Sequence, residues 1–256
     1  MSKERLQREA EFHDKTFGEH TRKVVKKYYD TAKISKEKYR EKILAYGANQ
    51  KVLEYGCGPG SQAFTLAEKG ASVTAIDISN VAIEKGENEA KSRELAIDFR
   101  VMNAENLEFP DNSFDLVCGS GILHHLDLKQ AYKEISRVLT SNGRAIFYEP
   151  LGHNPIINMY RQLTPNLRTE DEHPLLLEDI ELAHNYFDKI NIDYFHLTSM
   201  GASFLNNGSL KNSLLNFLNR FDNVLLDNFP PIRKHAWVCV LEFKKCIQID
   251  EIESIL

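Results

Sequence analysis

A glycine-rich loop near residue 56 has the residue types and spacing of a ligand-binding turn. Residues 56–60 read G-C-G-P-G and follow the mostly apolar stretch Val52 to Tyr55. Such a turn after a strand usually holds a ligand close to bare backbone. The dinucleotide fingerprint needs glycine at position 61, which is Ser61, and a P-loop needs Gly-Lys-Ser/Thr, which is absent. With Glu54 beside it, the loop suits a cation or an ammonium group rather than a phosphate.

Two polar residues end the next two predicted strands. Asp77 closes the strand Ser72 to Asp77, and a carboxylate at that place can accept hydrogen bonds from both hydroxyls of a ribose. Asn103 follows the strand Ile97 to Met102, where its carbonyl suits the amino group of an adenine. Together these two positions predict a ligand that contains a nucleoside.

Histidine is the usual side chain for taking a proton from a substrate near neutral pH. His124 and His125 follow the fourth predicted strand, His153 follows the fifth, and His173 lies in the polar stretch 168–174. We predict His125, His153 and His173 as candidate catalytic bases. Helix capping or cofactor packing is the alternative for His124 and His125, and an exposed loop is the alternative for His173.

An alternation of short apolar strands and helices positions these residues. Strands are predicted over 51–55, 72–77, 97–102, 114–119, 144–148, 189–198 and 237–243. This alternation is typical of an α/β fold in which helices cover both faces of a doubly wound, mostly parallel sheet. Seven strands are expected in that sheet.

Three segments outside the alternation are predicted to form a helical cap over the sheet: 1–34, 151–177 and 201–234. The apolar residues of 201–234 fit a lid over a hydrophobic acceptor, a contact in a homodimer, or core packing, which is the default for an amphipathic helix. No linker divides the chain, so residues 1–256 are expected to be a single domain.

Composition excludes several classes of protein. The chain has 256 residues, of which 42% are hydrophobic and 27% are charged, with a net charge of -5. The part beyond residue 42 is acidic, which does not suit a nucleic-acid groove, and no apolar run is long enough to span a bilayer. The cysteines lack C-x-x-C pairing, which predicts reduced thiols in a cytoplasmic protein. They are Cys57, Cys118, Cys239 and Cys246.

Five blocks, in this order and spacing, carry a family resemblance: "VLEYGCGPG", "VTAIDIS", "MNAENLEFPDNSFDLV", "LHHL" and "VLTSNGRAIFYEP". Over about residues 40–150 the chain resembles the class I S-adenosylmethionine-dependent methyltransferases, and within them the small-molecule, UbiE-like (type 11) branch. The resemblance implies the Rossmann-like methyltransferase fold, with its last strand antiparallel to the rest. It also implies S-adenosyl-L-methionine as the cofactor.

The resemblance also implies roles for individual residues. Glu54 and the glycine loop would lie along the methionine part, Asp77 would bind the ribose, and Asn103 stands where the family often has Asp. Tyr29 would approach the sulfonium, or else belong to an aromatic pair packed on the first helix. The expected cofactor contacts are Tyr29, Glu54, Gly56, Cys57, Gly58, Asp77, Ile78, Asn103, Ala104, Glu105, Gly119 and Ser120.

One departure from some relatives concerns metal binding. Relatives that methylate quinone precursors carry E-x-x-E-H after the fourth strand and bind a divalent ion, whereas residues 121–125 here read G-I-L-H-H. Both carboxylates of that pattern are missing, so no bound magnesium is expected.

These observations predict transfer of a methyl group to an oxygen or nitrogen atom of a small-molecule acceptor. Two alternatives stay open: an RNA or other nucleic-acid methyltransferase, and a non-catalytic cofactor-binding protein with the same fold. The proline-rich motif of amino-methylating DNA enzymes is absent where the fourth strand ends, and "FPP" at 229–231 comes too late in the chain.

Overall fold

The computed structural model describes residues 3–18, 31–163, 172–204 and 208–245. The helices are α1 (Lys3–Gly18), α2 (Lys33–Gly47), α3 (Ala63–Glu68), α4 (Asn80–Ser92), α5 (Leu128–Val138), α6 (Pro155–Leu163), α7 (Leu177–Glu181) and α8 (Ser209–Asn228). The strands are β1 (Lys51–Tyr55), β2 (Ser72–Asp77), β3 (Ile97–Val101), β4 (Phe114–Ser120), β5 (Leu139–Pro150), β6 (Lys189–Phe195) and β7 (Val238–Lys244). Short 3-10 turns cover Leu123–His125, Leu182–Asn185, Ser199–Phe204 and Pro230–His235.

The seven strands form one sheet in the order β3-β2-β1-β4-β5-β7-β6. The strands from β3 to β5 pair in parallel, and β7 runs antiparallel to both β5 and β6. The predicted seven-stranded, mostly parallel sheet with an antiparallel last strand is therefore confirmed. Strand order reverses between β1 and β4, so the loops that follow these two strands diverge and leave a crevice between them.

Each face of the sheet packs against its own apolar core, because neighbouring residues of a strand point to opposite faces. Val52 packs on one face with Tyr39 and Ile43 of α2. Leu53 packs on the other face with Tyr132 and other residues of α5. All five of these side chains are buried. The sheet is thus rigid on both sides and fixes where its strand ends point.

Two helices begin at side chains that cap them. Asp127 accepts hydrogen bonds from the backbone N–H groups of Lys129 and Gln130 at 3.1 and 3.2 Å, and Ser79 accepts one from Ala82 N at 3.1 Å. Such caps satisfy N–H groups that have no partner within the helix. They fix the start of α4 directly beyond β2 and the start of α5 after the short 3-10 turn that follows β4.

Several boundaries differ from the sequence prediction. Ser35, a residue type that often caps a helix, lies within α2, which starts at Lys33, and is buried with its hydroxyl 2.9 Å from His196 Nε2. The strand predicted over 144–148 runs from Leu139 to Pro150, because Leu139 also pairs with Phe114 of β4, with a register shift between this pair and the pair Leu116–Arg144. The strand predicted over 189–198 ends at Phe195, because His196 has a φ of 64° and leaves the strand.

The prediction of core packing for the apolar residues of 201–234 was wrong for much of α8. Leu226 is buried, but four large apolar side chains of this helix are exposed. They are Leu210, Phe217, Phe221 and Val224.

No helix in the described ranges is long and apolar enough to cross a membrane. Cys57, Cys118 and Cys239 are buried free thiols, as predicted, and burial raises the pKa of each. Cys246 lies outside the described residues, as does Tyr29.

Candidate active site

A cavity of about 1370 Å³ opens where the carboxyl ends of β1 to β4 meet. Its floor consists of the loops that follow these strands. Its opposite wall includes residues of α1, α2 and α8, together with Glu172. Each of the three segments predicted as a cap contributes lining residues, for example Phe17, Glu172 and Asn219.

The glycine loop after β1 has a backbone conformation that favours glycine at three positions. Gly56, Gly58 and Gly60 have φ angles of 67°, 52° and 90°, where a side chain is strained. A Cβ on Gly56 would also lie 2.6 Å from the side chain of Ile122. All three glycines line the cavity together with Cys57. The loop therefore brings bare backbone to the cavity, as the sequence predicted.

Glu54 holds this loop from beneath rather than facing the cavity. Its buried carboxylate accepts hydrogen bonds from Ser61 Oγ at 2.9 Å, Gln62 N at 2.9 Å and Ala63 N at 2.7 Å. Burial raises the pKa of Glu54 to about 7, although these hydrogen bonds act in the opposite direction. Glu54 does not line the cavity. The expectation that it lies along the methionine part is replaced by a supporting role, because its oxygens serve the loop and the start of α3.

Asp77 lies at the end of β2 and lines the cavity with Ile78. Its carboxylate accepts hydrogen bonds from Gly58 N at 2.7 Å and from Ser79 N at 2.9 Å. Burial raises the pKa of Asp77 above its ordinary value, against the effect of these bonds. Each carboxylate oxygen has a second lone pair, so Asp77 can position the glycine loop and still accept from a ligand.

The segment after β3 faces the cavity through Met102, Asn103 and Ala104. The Oδ1 atom of Asn103 accepts a hydrogen bond from Glu105 N at 3.0 Å, so this carbonyl has one lone pair left for a ligand. Glu105 turns away from the cavity. Its carboxylate accepts a 2.7 Å hydrogen bond from Asp127 N and lies 3.2 Å from Arg5 Nη2. The expectation that Glu105 borders an adenine gives way to this role in joining α1 to the start of α5.

The segment after β4 presents Ser120, Gly121 and Ile122 to the cavity. Gly119 lies below the lining, where a Cβ would stand 2.7 Å from the carbonyl oxygen of Tyr55. Gly119 is thus required by the close approach of two strands and does not itself line the cavity, unlike Ser120.

Glu149 shapes the same segment from below. Its buried carboxylate accepts hydrogen bonds from Ile122 N and Leu123 N, both at 2.9 Å, and lies 2.7 Å from His124 Nδ1. His124 is therefore part of the support for the turn. This arrangement leaves His125, the next residue, on the cavity side.

Of the three predicted bases, His125 alone lines the cavity. His153 Nε2 accepts a hydrogen bond from Leu177 N at 3.2 Å, which turns its ring toward α7. The His173 side chain is 55% exposed and lies 3.7 Å from Asp179. Neither ring borders the cavity, because each contacts a residue of α7 instead. The role of catalytic base predicted for His153 and His173 is therefore not compatible with their positions.

Residues of α1 and Glu172 were missed as site residues by sequence reasoning. Glu9 and His13 line the cavity beside His125, and Glu9 Oε2 is 3.4 Å from His125 Nδ1. Glu172 Oε2 lies 4.0 Å from His125 Nε2, and Arg161 holds the other oxygen of Glu172 at 2.9 Å. The only sequence signal was the spacing of Glu9 and His13, which places both on one face of a helix.

Comparison with known proteins points to one family. Residues 53–147 match the family model described as "Methyltransferase domain". The chain is 39% identical over 107 residues to aklanonic acid methyltransferase DauC of Streptomyces sp. (strain C5), covering 40% of this chain and 49% of the relative. It is 31% identical over 118 residues to the ubiquinone/menaquinone biosynthesis C-methyltransferase UbiE of Geotalea daltonii, covering 44% and 50%. The chain thus spans about half the length of the curated relatives it matches.

A solved structure extends the likeness to most of the fold. Phosphoethanolamine N-methyltransferase 2 of Haemonchus contortus, solved with phosphomonomethylethanolamine and S-adenosylhomocysteine, superimposes with a TM-score of 0.60 at 18% identity. The alignment covers 83% of this chain and 53% of that chain. At this identity the likeness concerns the fold alone. Residues 53–147 thus match a methyltransferase domain, and they lie within a seven-stranded sheet whose fold resembles that of a solved methyltransferase.

Proposed function

We propose that the protein transfers a methyl group from S-adenosylmethionine to an oxygen or nitrogen atom of a small molecule. The observation that carries this proposal is the cavity at the switch point of the sheet. The glycine loop, Asp77 and Asn103 occupy one side of it, and His125 borders it as well. The matched methyltransferase domain covers the same strand ends.

The residues on the floor of the cavity fit this cofactor. Bound S-adenosylmethionine would supply an activated methyl group on a positively charged sulfur. Asp77 would accept hydrogen bonds from the ribose hydroxyls, Asn103 and Ala104 would border the adenine, and the loop 56–60 would lie along the amino acid part. Ser120 would lie near the ammonium group. Glu54 would support the loop without touching the cofactor.

The size of the cavity supports a second bound molecule. A pocket of about 300–1000 Å³ usually holds a ligand of drug size, whereas this cavity has about 1370 Å³. The space beyond the glycine loop is bordered by Glu9, His13 and His125. Oxygen and nitrogen acceptors lose a proton on methylation, and we place acceptor activation at His125. A small-molecule acceptor also agrees with the names of the relatives, which are an aklanonic acid methyltransferase and a C-methyltransferase of ubiquinone/menaquinone biosynthesis.

Calorimetry with S-adenosylhomocysteine tests the cofactor assignment. Wild-type protein is expected to bind this product, and Asp77→Asn is expected to bind it roughly 10- to 100-fold more weakly, because it loses charge-assisted hydrogen bonds to the ribose. Asp98→Asn is a matched control, since Asp98 is about half exposed on β3 and pairs with Arg100. Unchanged affinity in Asp77→Asn, or no binding by the wild type, would contradict the proposal.

The acceptor class needs a separate measurement. Transfer of an isotopically labelled methyl group to phenols, carboxylic acids or amines would support an oxygen or nitrogen acceptor. Transfer to RNA with a steep salt dependence would favour the nucleic-acid alternative instead. Cofactor binding without transfer to any substrate class would favour the non-catalytic alternative.

A further inference from the structure

We infer that Glu9, His13 and His125 bind a divalent transition-metal ion, best fitted by Zn²⁺, on the wall of the cavity, and that this ion activates the acceptor. Activation of the acceptor by this ion rests on the proposed function. Binding of the ion does not, and it can be tested without any substrate.

Two of the three distances between these side chains match those between the ligands of one ion. Glu9 Oε2 lies 3.5 Å from His13 Nε2 and 3.4 Å from His125 Nδ1. The three ligand atoms all lie within 4.8 Å of one another. Ligands of a tetrahedral zinc ion, at bond lengths of about 2.0–2.1 Å, are separated by roughly 3.3–3.4 Å. Small side-chain adjustments would bring the third pair to that separation.

The same distances are long for direct ion pairs. Charge-assisted hydrogen bonds between a cationic nitrogen and a carboxylate are usually about 2.7–2.9 Å long. In addition, His125 Nδ1 is buried and makes no hydrogen bond to any residue in the described ranges. Two imidazole nitrogens directed at one carboxylate oxygen, each too far for a short hydrogen bond, leave room for an ion between them.

The ligand types also select a class of metal. Two imidazole nitrogens and one carboxylate oxygen are the ligand set of several zinc hydrolases and of non-haem iron enzymes, whereas Mg²⁺ and Ca²⁺ prefer oxygen ligands throughout. All three residues line the cavity. A fourth coordination position would therefore face the space assigned to the acceptor, as in catalytic zinc sites.

Neighbouring residues can orient His125. Glu172 Oε2 lies 4.0 Å from His125 Nε2, and Arg161 Nη2 lies 2.9 Å from Glu172 Oε1. Metal-bound histidines usually direct their second nitrogen at a carboxylate or carbonyl, which fixes the ring. Glu172 is the carboxylate in that position here.

An ion at this site would act as a Lewis acid on the acceptor. An acceptor hydroxyl on the fourth position would become more acidic and would lose its proton to water. The acceptor oxygen would then form its bond to the methyl carbon as the carbon–sulfur bond breaks, with S-adenosylhomocysteine as the second product. The sequence led to the expectation of no metal because residues 121–125 lack carboxylates. Here Glu9 of α1 supplies a carboxylate, although it lies more than a hundred residues before 121–125 in the sequence.

Zinc titration of the untagged full chain tests the site. After treatment with a chelator, the wild type is expected to take up one equivalent of Zn²⁺ in competition with a chromophoric indicator. His13→Ala is expected to bind it at least about 100-fold more weakly, since losing even an outer partner of a ligand costs about 10–100-fold. His184→Ala is the matched control, because His184 is 54% exposed and pairs only with nearby Glu181 among the described residues. Glu9→Gln, similar in shape to the native residue, repeats the test if His13→Ala does not fold.

Cobalt provides a readout of coordination. Co²⁺ added to the wild type is expected to give visible absorption bands of a four-coordinate ion, and His13→Ala is expected to lack them. Equal zinc affinity in the wild type, His13→Ala and Glu9→Gln would overturn the inference. S-adenosylhomocysteine binding by metal-free wild type, without zinc binding, would overturn the metal site and leave the proposed function standing. Zinc binding without S-adenosylhomocysteine binding would support the metal site and contradict the proposed function.

Discussion

The turns that follow β1 and β6 are each held by a buried carboxylate, yet only the first of them lines the cavity. After β1, Glu54 accepts three hydrogen bonds from residues 61–63. After β6, Asp222 accepts four from residues 197–199, at 2.6 to 3.0 Å. The first turn lines the cavity, whereas the ring of His196 in the second is buried between the hydroxyls of Ser35 and Ser199.

The difference lies in where each carboxylate comes from. Glu54 is within nine residues of every group it binds, so the glycine loop is organised by its own strand and helix. Asp222 is on α8, 23 to 25 residues from its partners, so the turn after β6 depends on the docking of a distant helix. We infer that the glycine loop is locally determined and that the turn after β6 depends on tertiary contacts.

The largest expected effect comes from removing the carboxylate that holds the second turn. Asp222→Ala should lower the free energy of unfolding by roughly 3–4 kcal/mol, because three N–H groups and one hydroxyl lose their acceptor in a buried site. Denaturation with urea measures this loss. Asp227→Ala, an exposed change on the same helix, should alter stability by less than about 0.5 kcal/mol. Equal stabilities of the two variants would mean that α8 is not needed to hold this turn.

The two turns should also respond oppositely to pH. Burial raises the pKa of Glu54 from 4.5 to about 7, so the folded state binds more protons than the unfolded state between these pH values. The contribution of Glu54 to stability therefore falls as pH rises from about 4.5 to 7. Burial lowers the pKa of His196 from 6.5 to about 4, so its contribution is lost as pH falls through that window. Each contribution amounts to roughly 3 kcal/mol at most.

Single substitutions separate these contributions, which largely cancel in the wild type. Relative to the wild type, Glu54→Gln should gain stability as pH rises from about 4.5 to 7. His196→Asn should lose stability relative to the wild type as pH rises from about 4 to 6.5, because the penalty for charging a buried imidazole is gone. Urea denaturation at several pH values gives both slopes. If the free energy of unfolding varied with pH in the same way in the wild type and both variants, the pKa shifts assigned to Glu54 and His196 would be contradicted.

The smallest expected effect concerns the exposed face of α8. Phe217 is 65% exposed, so Phe217→Ser should change the free energy of unfolding by less than about 0.5 kcal/mol. Analytical ultracentrifugation of the same variant addresses the predicted homodimer. A lower association state in Phe217→Ser would assign this face to a contact between two copies, and an unchanged state would exclude that role for Phe217.

Much of the fold could be predicted from the sequence, because its signals are local. The mostly apolar stretch Val52 to Tyr55 and the helical spacing of Leu128, Tyr132 and Ile135 are properties of neighbouring residues. The ends of elements were less predictable. Ser35 has the residue type of a helix cap but forms a long-range hydrogen bond to His196, and no local pattern indicates such a partner.

The sequence by itself determined the glycine loop and the position of Asp77 at a strand end, because these features depend on short-range spacing within neighbouring β–α units. Only the tertiary structure decided which histidine borders the cavity. His125, His153 and His173 have the same chemistry, and the contacts of His153 with Leu177 and of His173 with Asp179 keep these two rings away from the cavity. The meeting of Glu9, His13 and His125 was likewise decided by the docking of α1, since contacts between residues far apart in sequence are set by packing.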